Sequence, residues 1–420
     1  MTSQRTAWNL PAAAPVPDLQ EVAAPAPTVP APSRAPSCEN PDTLDTVVCR
    51  DPEQFAALAS EWRALHGRCR AATPFQSHSW LYSWWLSYGV PGRLRVILVR
   101  RGGRLIGAAP LMLTHRPMPV LVSLGGSISD FSDVLLDDSC AALAAGALAE
   151  GLRGAARGAL VDLREVRPGA AAEQLYAAWD GPRRSLVDSV CLELPGVSMD
   201  ALLRRLPGAR ARGVRARLRR LDALGVEERS VPAHEVPAAV ETLLRLHGLW
   251  WQGRGVTPEH LRPRFAEHLV RATREMVGNG EAELTEYRMD GRVMAADIML
   301  LSADLAGGYL YGADPELRAR KVDITAMLMR HDARHVIGTG RTVLSLLRGT
   351  EPYKLHWRPE PVTNQRLLLS PRALRPALGL YAAQVTGRAL VAAVVRSRMT
   401  PVRGLRVRLN TWQAKGVCRK

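Results

Sequence analysis

A repeat constrains this chain more than any other feature. The segment "GRLIGAAPLML" from Gly103 aligns without a gap to "GRVMAADIMLL" from Gly291, an offset of 188 residues. Each follows a strand-like run and a tight turn: "RLRVILVR" with "RGG" in the first copy, "EAELTEYRM" with Asp290-Gly291 in the second. Each also stands after two helical segments and before a strand, a helix and another strand. Self-similarity of this kind reads as a duplicated structural unit. The expected fold class is α+β: two tandem units, each a mixed, mostly antiparallel sheet flanked by helices.

Periodicity supplies the elements. Asp51 is placed to cap a helix carrying Phe55, Leu58, Trp62 and Leu65 on one face, and a second helix after "TPFQSHSW" carries Trp80, Trp84 and Trp85. "PVLVSLGG" reads as a third strand, with a fourth near Asp133–Leu136, an Ala-rich helix over 139–157 and the strand "ALVDLREV". In the second half, one helix holds Leu243, Leu246 and His247, and another ends at Gly278-Asn279-Gly280. "LAGGYLYGAD", "VDITAMLMRHDARHVIG" and "TVLSLLRG" then read as strand, helix and strand. The expected boundaries are a disordered Ala/Pro-rich segment over 1–44, units over 45–198 and 199–375, and a basic helix or tail over 376–420.

Charge is concentrated. The net +16 comes mostly from 371–420, with eleven basic residues and no acid, and from 201–230, with nine Arg against three acids. Such patches point to an anionic partner, whether phosphate, nucleic acid or membrane. A helix over about 211–224, with Val214, Leu218 and Leu221 as its apolar stripe, could meet RNA, an acyl-carrier protein or anionic lipid. The six Cys show no CxxC or metal spacing, so reduced thiols and no metal are expected. No apolar leader and no run of about 18 apolar residues occurs. A cytoplasmic protein is expected, with a peripheral position at the inner membrane face as a variant. The nearest apolar stretch, 379–395, is interrupted by Gln384 and Arg388. HExxH, GxSxG, P-loop and Rossmann patterns are absent, which removes metalloprotease, serine hydrolase and P-loop readings.

The element order resembles that of GNAT acyltransferases, and two such units in tandem resemble the FemAB-like arrangement. "TPFQSHSWLYSWW", "LIGAAPLML" and "LGGSISDFSDVLL" look like the N-terminal half of the CelD/BcsL family of GNAT-like proteins, linked to bacterial cellulose and exopolysaccharide synthesis. "LHGLWWQGRG", "GYLYGADPEL" and "LLRGTEPYKLHW" look like its C-terminal half, so the resemblance spans roughly 45–375. It implies acyl transfer from acyl-CoA, acetyl-CoA first, to an amine or hydroxyl of a saccharide or envelope precursor. It leaves two alternatives: a FemAB-like transferase using aminoacyl-tRNA, the one nucleic-acid partner considered, or a non-catalytic scaffold docking on anionic membrane or a synthase complex.

Acyl transfer to an amine needs a base, an oxyanion donor and an acid for the departing thiolate. The resemblance implies Glu351 as base, Tyr353 as acid and Lys354 as the neutralising charge; the local alternative is a surface Glu351–Lys354 pair with Tyr353 and Trp357 packed on one helix face. Asp297 stands among apolar residues of a strand, so it is paired with an arginine, solvent-facing or catalytic. No Gly-rich phosphate loop precedes the helix at Asp323. Arg318, Arg320, Lys321 and Asp323 are the residues available there for the cofactor's pyrophosphate, or else form a solvated basic loop with Asp323 as N-cap. His247, Trp251, Tyr309, Tyr311 and Trp357, with Gln76 and Trp80 of the "PFQS…W" segment, are the candidate substrate contacts. Tyr309 and Tyr311, two apart, are expected on one strand face. Asp130 and Asp133 are loop caps or line a cleft between the halves.

Overall fold

Both copies of the echoed segment are second strands of hairpins, and both hairpins belong to one continuous sheet. A computed structural model describes residues 43–115, 117–253 and 257–391. The expected disordered segment up to residue 42 and the basic tail beyond 391 lie outside the described residues. The first copy runs β1 (Leu44–Cys49), α1 (Pro52–Ala57), α2 (Ala59–Gly67), α3 (His78–Tyr88), β2 (Leu94–Arg101), β3 (Arg104–His115), β4 (Pro119–Ser123), β5 (Leu135–Leu136), α4 (Ala141–Ala155), β6 (Leu160–Val166), α5 (Ala171–Ala178) and β7 (Arg183–Pro195). Two helices, α6 (Met199–Arg204) and α7 (Gly208–Ala223), lead on. The second copy runs β8 (Glu227–Ser230), α8 (Val236–Trp251), α9 (Pro263–Gly278), β9 (Ala282–Met289), β10 (Arg292–Leu301), β11 (Leu305–Ala313), α10 (Glu316–Ala319), α11 (Ile324–Gly338), β12 (Val343–Arg348), α12 (Pro352–Leu355) and β13 (Glu360–Leu369). A last helix, α13, covers 375–391.

The helix expected after Asp51 is two helices, α1 and α2, that meet at Leu58. Its apolar face is still buried, with Phe55, Trp62 and Leu65 fully covered. Asp51 caps it by accepting from the Glu53 N–H.

The strand order is β1-β2-β3-β4-β6-β13-β7-β12-β11-β10-β9-β8, with β5 on β3. Replacing each strand by its counterpart in the other copy gives the same order read backwards. Among the described residues the only parallel pairs are also counterparts, β4 with β6 and β11 with β12. At the centre the copies exchange final strands: β13 pairs with β6 of the first copy, and β7 with β12 of the second. Counterpart helices α3 and α9 pack together across the same joint, where Trp80 meets His268 edge-on at 4.6 Å.

A polar cluster locks the joint. Arg348, at the end of β12, pairs with Glu165 at 2.9 Å and Asp130 at 3.1 Å and donates to the Ser127 carbonyl. Asn364 of β13, fully buried, donates to the Asp130 carbonyl and the Glu165 carboxylate at 3.3 and 3.2 Å. Buried charges persist when paired and hydrogen-bonded in this way. Asp130 is therefore a contact between the halves. Asp133 is a cap, accepting the Ala171 and Ala172 N–H groups at the start of α5.

The exchange has a measurable consequence. A chain ending at residue 198 leaves β6 and β7 without β13 between them, exposing central strand edges. It should show no cooperative thermal transition by circular dichroism, whereas the whole chain melts as a unit. A cooperative melt of the fragment would show that the first copy folds without β13.

Candidate active site

The site forms where two strands stop pairing. β11 and β12 are parallel and hydrogen-bonded only at Leu305–Gly307 and Val343–Ser345. Beyond Ser345 the pairing of β12 with β7 is also irregular, and Leu347 adopts φ +58°. Leu346 is thereby turned to a cavity of about 70 Å³ between the diverging strands. Asp297 of β10 and Tyr311 of β11 line its sheet side, Leu328 and Asp332 of α11 its helix side, and Tyr353 and Lys354 of α12 its end.

The turn into α12 depends on Gly349, at φ +107°, where a Cβ would stand 2.5 Å from a Glu351 carboxylate oxygen. α8 presses on β11 at Gly312, where a Cβ would stand 2.4 Å from the His247 backbone nitrogen. These contacts set the distance between α8, the sheet and α12.

Two buried carboxylates face this cavity, Asp297 (4% exposed) and Asp332 (7%). Oδ1 of each has no hydrogen-bond partner among the described residues. The arginine partner expected for Asp297 is absent there; the cation that acts on it is His331. Burial pushes Asp297 up to about 6, and burial with the charge of Asp297 pushes Asp332 well above the usual carboxylate range. Two carboxylates in one dry site do not both ionise readily. Of the two, Asp332 is the one pushed further toward its neutral form. Asp332 is the residue that sequence reasoning missed. Its signal was present: it falls four after Leu328 and four before Val336, a carboxylate on the buried stripe of α11.

Behind the pair, His331 bonds Glu228 at 2.9 Å and contacts the Thr285 hydroxyl at 3.2 Å. Burial alone would lower its pKa. The hydrogen bonds to Glu228 and Glu283 and the charges of Asp297 and Asp332 prevail and raise it to about 10.

Lys354 (8% exposed) donates to the Arg348 carbonyl at 2.8 Å and pairs with Glu351 at 3.0 Å. Glu351 is exposed at the start of α12 and outside the cavity lining. Burial raises the Tyr353 phenol above its ordinary value.

A second cavity, about 160 Å³, adjoins the first through Thr325 and Tyr353. Arg210 and Arg217 of α7, His356 and Trp357 line it. Arg217 pairs with Asp323 Oδ2 at 2.8 Å, while Asp323 Oδ1 caps α11 through the Ala326 N–H. Arg210 donates to the His356 carbonyl at 3.4 Å. The loop read either as a phosphate site or as a solvated basic loop has these contacts. Arg318 stacks 3.7 Å over the Trp250 ring and donates to its carbonyl, Arg320 pairs with Glu316, and Lys321 is exposed at φ +57°.

The other candidates divide. Trp251 and His247 stand behind Tyr311: the Trp251 and Tyr311 rings are 6.1 Å apart, and His247 Nδ1 bonds the Tyr311 carbonyl at 2.7 Å. Burial lowers the His247 pKa, which favours the neutral ring. Tyr309 is not brought to the cavity. A register shift opposite Ile298/Met299 makes Tyr309 the bulged residue. Its hydroxyl donates to the Ile128 carbonyl and its ring packs on Phe75 and Trp80. Trp80 is fully buried and donates to Ser129, and Gln76 closes a capping box with Thr73. Trp357 packs with Leu194 and Leu202 beside the second cavity.

The counterpart of Asp297 in the first copy is Ala109, and the buried face of α4 is Ala144, Ala145, Leu148, Ala149 and Leu152. The carboxylate pair belongs to the second copy alone.

Residues 208–355, which contain every residue lining the first cavity, match the family model described as Acetyltransferase (GNAT) domain. The matched segment is less than half of the chain, and it is this segment that is similar to a GNAT domain. Among solved structures, FemX is similar at 13% identity and TM-score 0.54, over 74% of this chain and 95% of that one. A conserved protein of unknown function from Bacteroides thetaiotaomicron is similar at 13% identity and TM-score 0.50, over 77% and 99%. Both likenesses concern the fold. No curated protein matches the chain.

His331 contributes stability in a defined pH window. Its folded pKa is raised above the ordinary 6.5, so the contribution is complete below about 6.5 and lost as pH rises through about 10. His331→Gln should lower the melting temperature by roughly 5 °C or more at pH 6.5. The difference should shrink toward zero near pH 10.5. An equal deficit at both pH values would show that packing, not charge, is what His331 supplies.

Proposed function

We propose that the second copy transfers an acyl group from acyl-CoA, acetyl-CoA first, to an amine or hydroxyl of a saccharide or envelope precursor such as an exopolysaccharide unit. One observation carries this reading: a cavity at the divergence of β11 and β12 contains a buried carboxylate pair with unpartnered oxygens. A base of pKa about 6 is ionised at pH 7 and still able to take a proton. Asp297 removes the proton as the acceptor amine or hydroxyl attacks the thioester carbonyl. The carbon–sulfur bond breaks, and the Tyr353 hydroxyl donates a proton to the departing thiolate. Lys354 fixes α12 through the Arg348 carbonyl and places a positive charge beside the developing oxyanion. Tyr311, Trp251 and His247 offer aromatic faces beside a polar group, which suits a sugar ring.

The donor's phosphates fall to α7. Arg318 and Arg320 are engaged away from the second cavity; Arg210 and Arg217, held by the His356 carbonyl and by Asp323, border it, next to the first cavity. Bidentate guanidinium contacts suit a pyrophosphate.

Calorimetry with acetyl-CoA and longer acyl-CoAs tests the donor, and absence of binding by every acyl-CoA would sink the reading. With glucosamine as probe acceptor and released thiol as readout, Asp297→Asn should lower turnover by about 100-fold or more with acyl-CoA affinity kept. Wild-type turnover should fall as pH drops below about 6, where Asp297 becomes protonated. Arg210→Gln with Arg217→Gln should weaken CoA about tenfold or more and leave acetyl-pantetheine, which lacks the phosphates, unchanged. Equal weakening of both ligands would remove the phosphate role of α7.

A further inference from the structure

A broad concavity lies outside this site. A groove of about 900 Å³ runs between residues 180–184, at the start of β7, and 372–379, at the start of α13. Its charged residues are Arg183, Arg184, Arg372 and Arg375 against one acid, Asp180. Arg183 is held by the carbonyls of Tyr176, Ala177 and Trp179 at the end of α5, and Arg372 by Asp180 at 2.9 Å. Arg184 and Arg375 are exposed and have no ion pair or hydrogen bond from their side chains among the described residues.

α13 rises from the edge of this groove. Its inner face is anchored: Leu378 is buried against Val120, Leu160 and Leu368, and the Tyr381 hydroxyl donates to Asp162 at 2.8 Å. Its outer face is apolar and uncovered. Leu380 is 72% exposed, Leu390 63% and Val391 65%, with exposed Ala383 and Gly387 between them at helical spacing. Arg388 flanks the stripe. An anchored helix with large apolar side chains facing solvent, beside a groove with a surplus of guanidinium groups, has the two halves of an interfacial lipid contact.

We infer that this face docks on a membrane surface rich in anionic phospholipid. The groove arginines, Arg184 and Arg375 above all, take headgroup phosphates, and Leu380, Leu390 and Val391 enter the headgroup–acyl boundary. Charge complementarity selects this occupant: a surface of phosphates matches a groove with four guanidinium groups and one carboxylate. The contact is peripheral, because no helix among the described residues is long and apolar enough to cross a membrane. It is independent of the acyl-transfer reading and would bring the protein to acceptors carried at a membrane.

The test uses the whole chain and sedimentation with vesicles. Vesicles of phosphatidylcholine with about one-third phosphatidylglycerol should bind it, and pure phosphatidylcholine vesicles should not. Arg184→Glu with Arg375→Glu should lower the vesicle partition coefficient at least about tenfold, since each reversal opposes the surface potential. Leu380→Ser with Leu390→Ser should lower it with the charge unchanged. Both double variants alter exposed side chains, and an unchanged melting temperature verifies the fold of each. Unchanged binding by the charge-reversed protein would overturn the proposal, because the basic segment beyond residue 391 would then account for binding. Equal binding to neutral vesicles would overturn it as well. So would tight binding of free glycerol 1-phosphate by a protein that ignores vesicles, which would make the groove a soluble-phosphate site.

Discussion

Everything in the described structure depends on the exchange of β7 and β13. A single unit of this plan would end with its own last strand against its own sheet. Here each copy supplies that strand to the other, so neither sheet is complete alone. The buried cluster of Arg348, Glu165, Asp130 and Asn364 fixes the register of the exchange. Such a cluster is costly to bury and costly to break, and it specifies one alignment of the halves over neighbouring ones.

The two copies share a frame and differ in chemistry. In each, a parallel pair of strands is hydrogen-bonded over three residues and then ends. The first copy places alanine where the second has Asp297, and its helix α4 buries only alanine and leucine. The first copy braces the second. Its loop at Ser127–Asp130 receives Arg348, and its Trp80 and Phe75 receive Tyr309.

Much of the frame was legible. Period-two hairpins around Gly103 and Gly291 and the helices before them gave the element order, because alternation and helical spacing are local signals. The β7–β13 exchange was not, since strand partners separated by more than a hundred residues leave no local mark. The site was half legible. Asp297, Tyr311, Tyr353 and Lys354 share one cavity, but Glu351 lies outside it, and the bulge at Tyr309 separated two tyrosines that a regular strand would have kept together. Arg318 was a phosphate candidate beside a solvated-loop alternative because its neighbours are cationic. The ring it stacks on, Trp250, is remote in sequence and invisible to a charge count. Asp332 was hidden in an ordinary amphipathic helix, where one acid on the apolar stripe is easily taken for a boundary residue.

The segment from Arg348 to Lys354 has two ends with different duties. The Arg348 side chain grips the first copy, while its carbonyl accepts from the ammonium of Lys354 at the cavity. Gly349, the only residue type that its backbone tolerates there, makes the link between them short. Lys354 is therefore tied to the joint through a few bonds. The joint between the halves and the candidate site thus share one short stretch of backbone.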